Sequence, residues 1–395
     1  MQSALDEATR TRALRALLAR VDRTLAETAD RFPYFADGRT GEWVTTADGN
    51  WCGGHWIGLL WLAARHADDA ADRERYERVA VDRTETMREH MPRRSMFCGM
   101  NFLYAGFDGY DATGERSLFG LGLEGADAMT AFFHERARQV PLGALDIRGP
   151  EQFRGPASEH GPDGDRLGAV DAVYTSLPVL WRAFEETGEA QFRDVAVSHA
   201  DRHLDWYVRD DGRTWHHAVF DPDTGALSRQ YNELAHSEDT CWARGLGWSV
   251  AGLARAYEAT RAGRYLAALE RHVDYYRAHV PGDLVPYWDF EVPVERDTPR
   301  DSSAAALVAY GLTALDGDGE RVAALREFGE SVLGSLVADY LVTDEADPRY
   351  GAVEHGCFNA PGEYAMDDEL VWSTYYVTAA LDALGGTRRG GSARN

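Results

Sequence analysis

The residues of this chain with chemistry to offer gather where loops run into helices. Trp51, Asp171, Trp242, Arg244 and Trp248 all stand at such junctions. Flat indole faces suit sugar rings and fixed polar groups suit hydroxyls and carboxylates, so the mixture has the character of a carbohydrate site. Asp171 opens the stretch VDAVYTSLP, which reads as the start of a buried helix after a long loop, so its side chain can face the loop end of the fold. The plainer alternative is that Asp171 only caps that helix. Arg244 has the fork geometry that pairs with a carboxylate, and a buried salt bridge between helices would use it equally well. Trp51 and Trp248 suit stacking platforms, whereas Trp61 and Trp181 read as core. Tyr174, one turn beyond Asp171, either hydrogen-bonds in the site or fills its wall.

Several other chemistries are excluded. The sequence has no Gly-rich phosphate loop, HExxH, CxxC or Gly-x-Ser-x-Gly elbow. Cys52 and His55 lie close together but lack the second ligand pair of a zinc site. A formal net charge of -24 argues against nucleic acid, which needs a basic face. All 41 basic residues are Arg, which fits a GC-rich genome or a salt-adapted host, and an anionic sugar would need a local basic pocket within this acidic field. The four cysteines are far apart, near apolar or aromatic stretches, and are expected as buried free thiols. The first residues form a charged amphipathic helix pattern without the apolar core of a signal peptide, and no run is long enough to span a membrane. A soluble cytoplasmic protein is expected.

The elements that must position these residues are helices. Apolar spacing predicts twelve, near 5–32, 55–68, 71–91, 98–112, 116–138, 171–187, 190–209, 239–260, 264–280, 302–316, 319–341 and 367–384. Similar turns at Thr113-Gly114, Thr187-Gly188 and Thr260–Gly263 join successive helices, with Gly expected as the left-handed cap. Repeated helix pairs joined by short turns, then by longer loops, predict an all-α (α/α)6 barrel, a six-hairpin toroid, with an open solenoid as the alternative. It is read as one domain over 1–384, with 385–395 expected to fray. The long loops 33–54, 139–170, 210–238, 281–301 and 343–366 fall at one mouth. Within them 214–220 predicts a hairpin strand turned by 221–225. Ser302 or Asp301 is expected to cap the Ala-rich helix that follows, with Arg300 and Asp301 as an ion pair.

Four blocks carry a family resemblance. They are Trp51-Cys52-Gly53-Gly54-His55-Trp56 running to Gly58-Leu59-Leu60-Trp61-Leu62, Leu177–Trp181 with Glu185–Gly188 and Arg193–Val197, Trp242-Ala243-Arg244-Gly245-Leu246-Gly247-Trp248, and Asp297–Ala305. In this order, over roughly 40–380, they resemble the unsaturated glucuronyl hydrolases of glycoside hydrolase family 88 and the related unsaturated rhamnogalacturonyl hydrolases of family 105. The resemblance implies an (α/α)6 barrel that hydrates the vinyl ether of a 4,5-unsaturated uronyl sugar. It implies no metal or organic cofactor. A protonated Asp delivers its proton to C4, water adds at C5, and the aglycone leaves as the hemiketal opens. Such a carboxyl needs a raised pKa in a partly dry aromatic pocket.

The Asp171-to-Pro178 spacing resembles the rhamnogalacturonyl branch and makes Asp171 the candidate acid and base; the glucuronyl register would place Ala172 there. His216 falls where the family has a substrate-contacting His, and His217, on the opposite face of a strand, is expected to be structural. Two departures stand out. The family's second carboxylate is missing from Met96–Asn101, and its His-Gln-Gly segment reads Asn232-Glu233-Leu234-Ala235-His236. A barrel adapted to another unsaturated or uronate-bearing metabolite, or a silent sugar-binding protein, are the alternatives these departures leave open.

Overall fold

Two kinds of helix alternate along the chain, and their apolar patterns explain why. α2 (Gly53–His66) buries every residue from Gly53 to Ala64, whereas α3 (Ala70–His90) buries only Tyr76, Ala80, Thr84 and Met87. A helix buried all round belongs inside, and one with a single apolar stripe lies on the outside. The computed structural model describes residues 5–144 and 161–386. The tail expected to fray lies outside them from residue 387 onward, as do residues 145–160 of the loop 139–170.

The inner ring consists of α2, the rod α4 (Cys98–Phe102) to α5 (Gly109–Thr113), the broken rod α7 (Ala172–Thr175) and α8 (Leu177–Thr187), then α10 (Ala243–Thr260), α12 (Ser302–Thr313) and α14 (Val371–Gly385). Outside lie α1 (Glu7–Thr28), α3, α6 (Arg116–Phe132), α9 (Ala190–Trp206), α11 (Gly263–His279) and α13 (Glu320–Ser335). With α4–α5 and α7–α8 each taken as one rod, the fourteen α-helical segments among the described residues make the twelve helices expected. α14 packs against both α12 and α2, which closes the ring, and α1 packs against α14. The fold is an (α/α)6 barrel.

Small residues set the spacing of the inner ring. A Cβ on Gly311 would come within 2.8 Å of the Ala251 Cα, and one on Gly252 within 2.5 Å of Val173 Cγ1. Either would force neighbouring helices apart.

The boundaries differ from expectation where local pattern is ambiguous. The rod at 98–113 contains a π-helical segment, Leu103–Asp108, and α13 runs into another at Leu336–Tyr340. The helix expected to reach 138 ends at Phe132, and the one expected from 239 begins at Ala243. Gly114 and Gly188 take the left-handed cap as expected, at φ 76° and 73°. At the third turn the cap is Arg261 at φ 55°, and Gly263 opens α11 instead. The strain of a β-carbon there is offset because Arg261 holds both Glu258 oxygens and the Asp316 carbonyl.

Among the described residues the strands lie in the connections between helices. β1 (Phe32–Ala36) lies between β2 (Trp43–Thr46) and β6 (Glu369–Leu370), and β4 (His217–Phe220) lies between β3 (Leu167–Ala169) and β5 (Leu227–Tyr231), all antiparallel. β4 and β5 form the hairpin expected around 221–225. Among the described residues no helix is long and apolar enough to cross a membrane.

Candidate active site

The mouth of the barrel holds a cavity of about 240 Å³, walled by Trp51, Phe97, Trp242, Trp248 and Phe358 and by the polar side chains of Asp171, His216, His217, Glu233 and Arg244. The loops supply much of the aromatic rim, the N-cap of α7 supplies Asp171, and the first two turns of α10 supply Arg244 and Trp248. All six residues singled out in the sequence therefore share one cavity.

Asp171 sits at the N-cap position of α7, yet its side chain makes no cap hydrogen bond. It is 9% exposed, and its Oδ1 has no hydrogen-bond partner among the described residues. Burial pushes its carboxyl up to about 7, against the pull of the Arg244 guanidinium. A carboxyl with these surroundings exists in both protonation states near neutrality, which suits a group that gives and retakes a proton. The capping-only alternative lacks the bond it requires.

Arg244 forms the buried salt bridge. Its Nη1 lies 3.1 Å from Asp301 Oδ2 and also donates to the Cys357 carbonyl, while Nη2 donates to the Phe358 carbonyl. The guanidinium lies 4.6 Å from the Trp242 ring centre and still faces the cavity. Asp301 caps α12 through the Ser303 N–H, as expected. Its ion-pair partner differs from expectation: Arg300 binds Asp283 and the Val285 carbonyl instead. Arg300 and Asp301 are successive residues in extended backbone bridged to Tyr287, so their side chains diverge.

His216 and His217 lie together, ring centres 3.7 Å apart, against the expectation that they point to opposite faces. His216 lies in a bend before β4 begins, so strand alternation does not reach it. Its Nδ1 accepts the Leu234 N–H at 3.4 Å, which leaves the neutral ring's proton on Nε2. His217 is held between the Gly168 carbonyl at 3.3 Å and Glu233 Oε2 at 2.9 Å.

These two histidines and Glu233 bring ligand-type atoms within 4.8 Å of one another. The donor set does not suit a metal ion. The His216 tautomer presents N–H at Nε2, and two nearly parallel rings cannot aim both lone pairs at one point.

The tryptophans divide unevenly. Trp51 is stacked with Phe358 at 6.0 Å, and its indole N–H donates to the Tyr34 hydroxyl. Trp248 is 2% exposed and packs on Tyr174, so it closes the cavity floor more than it offers an open face. Tyr174 itself belongs to the wall: its hydroxyl pairs with Tyr104, then Tyr376, then His55. His55 Nδ1 bonds the Cys52 carbonyl, and all four cysteines are buried and unpaired.

The departure at Met96–Asn101 has a structural account. Asn101 accepts the Gly54 N–H and donates to the Trp51 and Phe97 carbonyls, clamping the Trp51 loop to α4 while Met96 and Phe97 face the cavity. Sequence reasoning missed Phe97, His217, Glu233 and Phe358 as cavity residues. For Glu233 the altered His-Gln-Gly segment was the available signal; Phe358 had only its place in an aromatic loop.

The model of Glycosyl Hydrolase Family 88 matches residues 169–384. The chain belongs to that family. It is a glycoside hydrolase.

An unsaturated glucuronyl hydrolase of Bacillus sp. (strain GL1) is 29% identical over 91% of this chain and 92% of its own length. The crystal structure of an unsaturated glucuronyl hydrolase from Bacillus sp. GL1 superposes with a TM-score of 0.83, at 26% identity over 95% of this chain and 97% of that one. An unsaturated chondroitin disaccharide hydrolase of Streptococcus pneumoniae is 24% identical over 84% of this chain and 81% of its own.

Proposed function

We propose that this family 88 member hydrolyses glycosides of 4,5-unsaturated uronic acids by hydrating the C4=C5 vinyl ether, with Asp171 as both acid and base. The observation that carries the reading is a buried carboxyl, without a partner on Oδ1 among the described residues, facing an aromatic cavity. Protonated Asp171 transfers its proton to C4, and positive charge forms at C5, shared with the ring oxygen. Water adds at C5 and loses its proton to the Asp171 carboxylate, which restores the acid. The C5 hemiketal opens to a ketone, leaving a hemiacetal at C1 that collapses to an aldehyde and expels the aglycone as an alcohol. One water is consumed and Asp171 ends as it began. Aromatic walls keep the carboxyl dry enough to hold its proton until the alkene arrives.

The remaining residues bind. Trp51 and Trp242 offer ring faces to the sugar, and Trp248 closes the floor. His216 donates from Nε2 to a sugar oxygen, and Arg244 attracts the uronate carboxylate across its cavity-facing side. The substrate is a small glycoside in an aqueous, cytoplasmic setting.

The test is the ultraviolet absorbance of the conjugated uronide. It should disappear with the native enzyme and persist with Asp171→Asn. A fully active Asp171→Asn protein would remove the mechanism.

A further inference from the structure

Glu233 is a carboxylate at the cavity that reaches solvent. Its side chain is 42% exposed and lines the cavity, whereas Asp171 is buried. Its position is fixed from both sides. Asn232 accepts the His216 N–H and donates to the Glu238 and Thr240 carbonyls, while the Leu234 N–H bonds His216. Glu233 thus presents its carboxylate from an anchored loop, with His217 against Oε2.

Among the described residues the carboxyl and guanidinium groups lining the cavity are those of Asp171, Glu233 and Arg244, and Arg244 is paired with Asp301. The chain has no Lys anywhere, and its net charge is -24. A ligand with one carboxylate can be met by Arg244 and the imidazoles. A second anionic group on the adjoining residue would face the Glu233 carboxylate within an already negative field, and like charges so placed act as discrimination against that ligand.

Resting on the reading of the cavity as a site for an unsaturated uronide, we propose that Glu233 is a specificity-determining residue. It selects substrates whose adjoining residue carries no sulfate or carboxylate and presents hydroxyl or ammonium donors to its oxygens. A cavity of about 240 Å³ is at the small end for a ligand site, so it takes the uronyl ring and leaves the adjoining residue at the Glu233 rim.

The experiment uses two lyase-made disaccharides, unsaturated uronyl–N-acetylhexosamine with and without a 6-sulfate. Their Kd values are measured by calorimetry on the native chain, Glu233→Gln and Glu233→Lys, with kcat/KM alongside. The native protein should bind the unsulfated form at least about tenfold more tightly, Glu233→Gln should narrow the ratio to about threefold or less, and Glu233→Lys should invert it.

A ratio unchanged across the three proteins, a native preference for the sulfated form, or binding of neither disaccharide would overturn the proposal. Kd ratios that follow Glu233 without any loss of the alkene would leave it standing and sink the hydration reading instead.

Discussion

Asp171 and Asp301 begin from the same position and end with opposite roles. Each directly precedes an inner helix, each is buried, and the Arg244 guanidinium lowers the pKa of both against the effect of burial. Asp301 commits every oxygen to the fold: Oδ2 to Arg244, and Oδ1 to the Ser303 N–H and hydroxyl and the Cys357 N–H. Asp171 leaves Oδ1 without a partner among the described residues, beside an open cavity. A buried carboxylate surrounded by donors is a joint, and one facing a void keeps its proton available. Position at a helix start therefore says little about role; the donors around the oxygens decide it.

The sharpest way to break this contrast is kinetic. Asp171→Asn should lower kcat on an unsaturated uronide by about 10²- to 10⁴-fold, with the circular dichroism of the native fold retained. Asp301→Ala should act on stability instead, costing about 3–5 kcal/mol in urea denaturation because it strands a buried guanidinium. A loss below about 1 kcal/mol there would mean that the carbonyls of Cys357 and Phe358 hold Arg244 without it.

Proton linkage gives a third test. The Asp171 carboxyl holds its proton up to about 7 in the folded chain and releases it near 4 when unfolded. Between these values the folded state binds more protons, so this group's contribution falls as pH rises, and above about 7 the buried charge is a constant cost. Asp171→Asn should accordingly be more stable than the native chain at pH 8, by about 4 kcal/mol, and equal to it at pH 3. Equal stability at both pH values would show that the carboxyl is not perturbed. The smallest effect is expected at Ser303→Ala, which removes one donor from Asp301. It should cost about 1 kcal/mol and leave kcat unchanged.

Much of this was legible in the sequence for identifiable reasons. The twelve rods followed from apolar spacing, and Gly114 and Gly188 marked their turns, because both signals are local. Asp171 was legible because a carboxyl between a long loop and an apolar helix is unusual in itself. Contacts between distant segments were not. Arg244 receives its carbonyls from residues 113 and 114 positions away, and nothing near Phe358 announces that its ring reaches Trp51. His217 was misjudged because strand alternation was extended one residue beyond the strand. The π-helical segment at 103–108 has no sequence mark, since one extra residue per turn leaves the apolar pattern nearly intact.

The seam where α1 meets α14 has a bearing on how such a chain can be rearranged. Glu7 and Gly385 border the same surface cleft, and Arg10 reaches back to the Leu381 carbonyl. With the start of α1 and the end of α14 side by side, the toroid resembles a bracelet whose clasp could sit between any two hairpins. Joining these ends by a short peptide and reopening the backbone at the exposed Gly114 turn would reorder the gene while keeping each wall of the cavity beside its present neighbours.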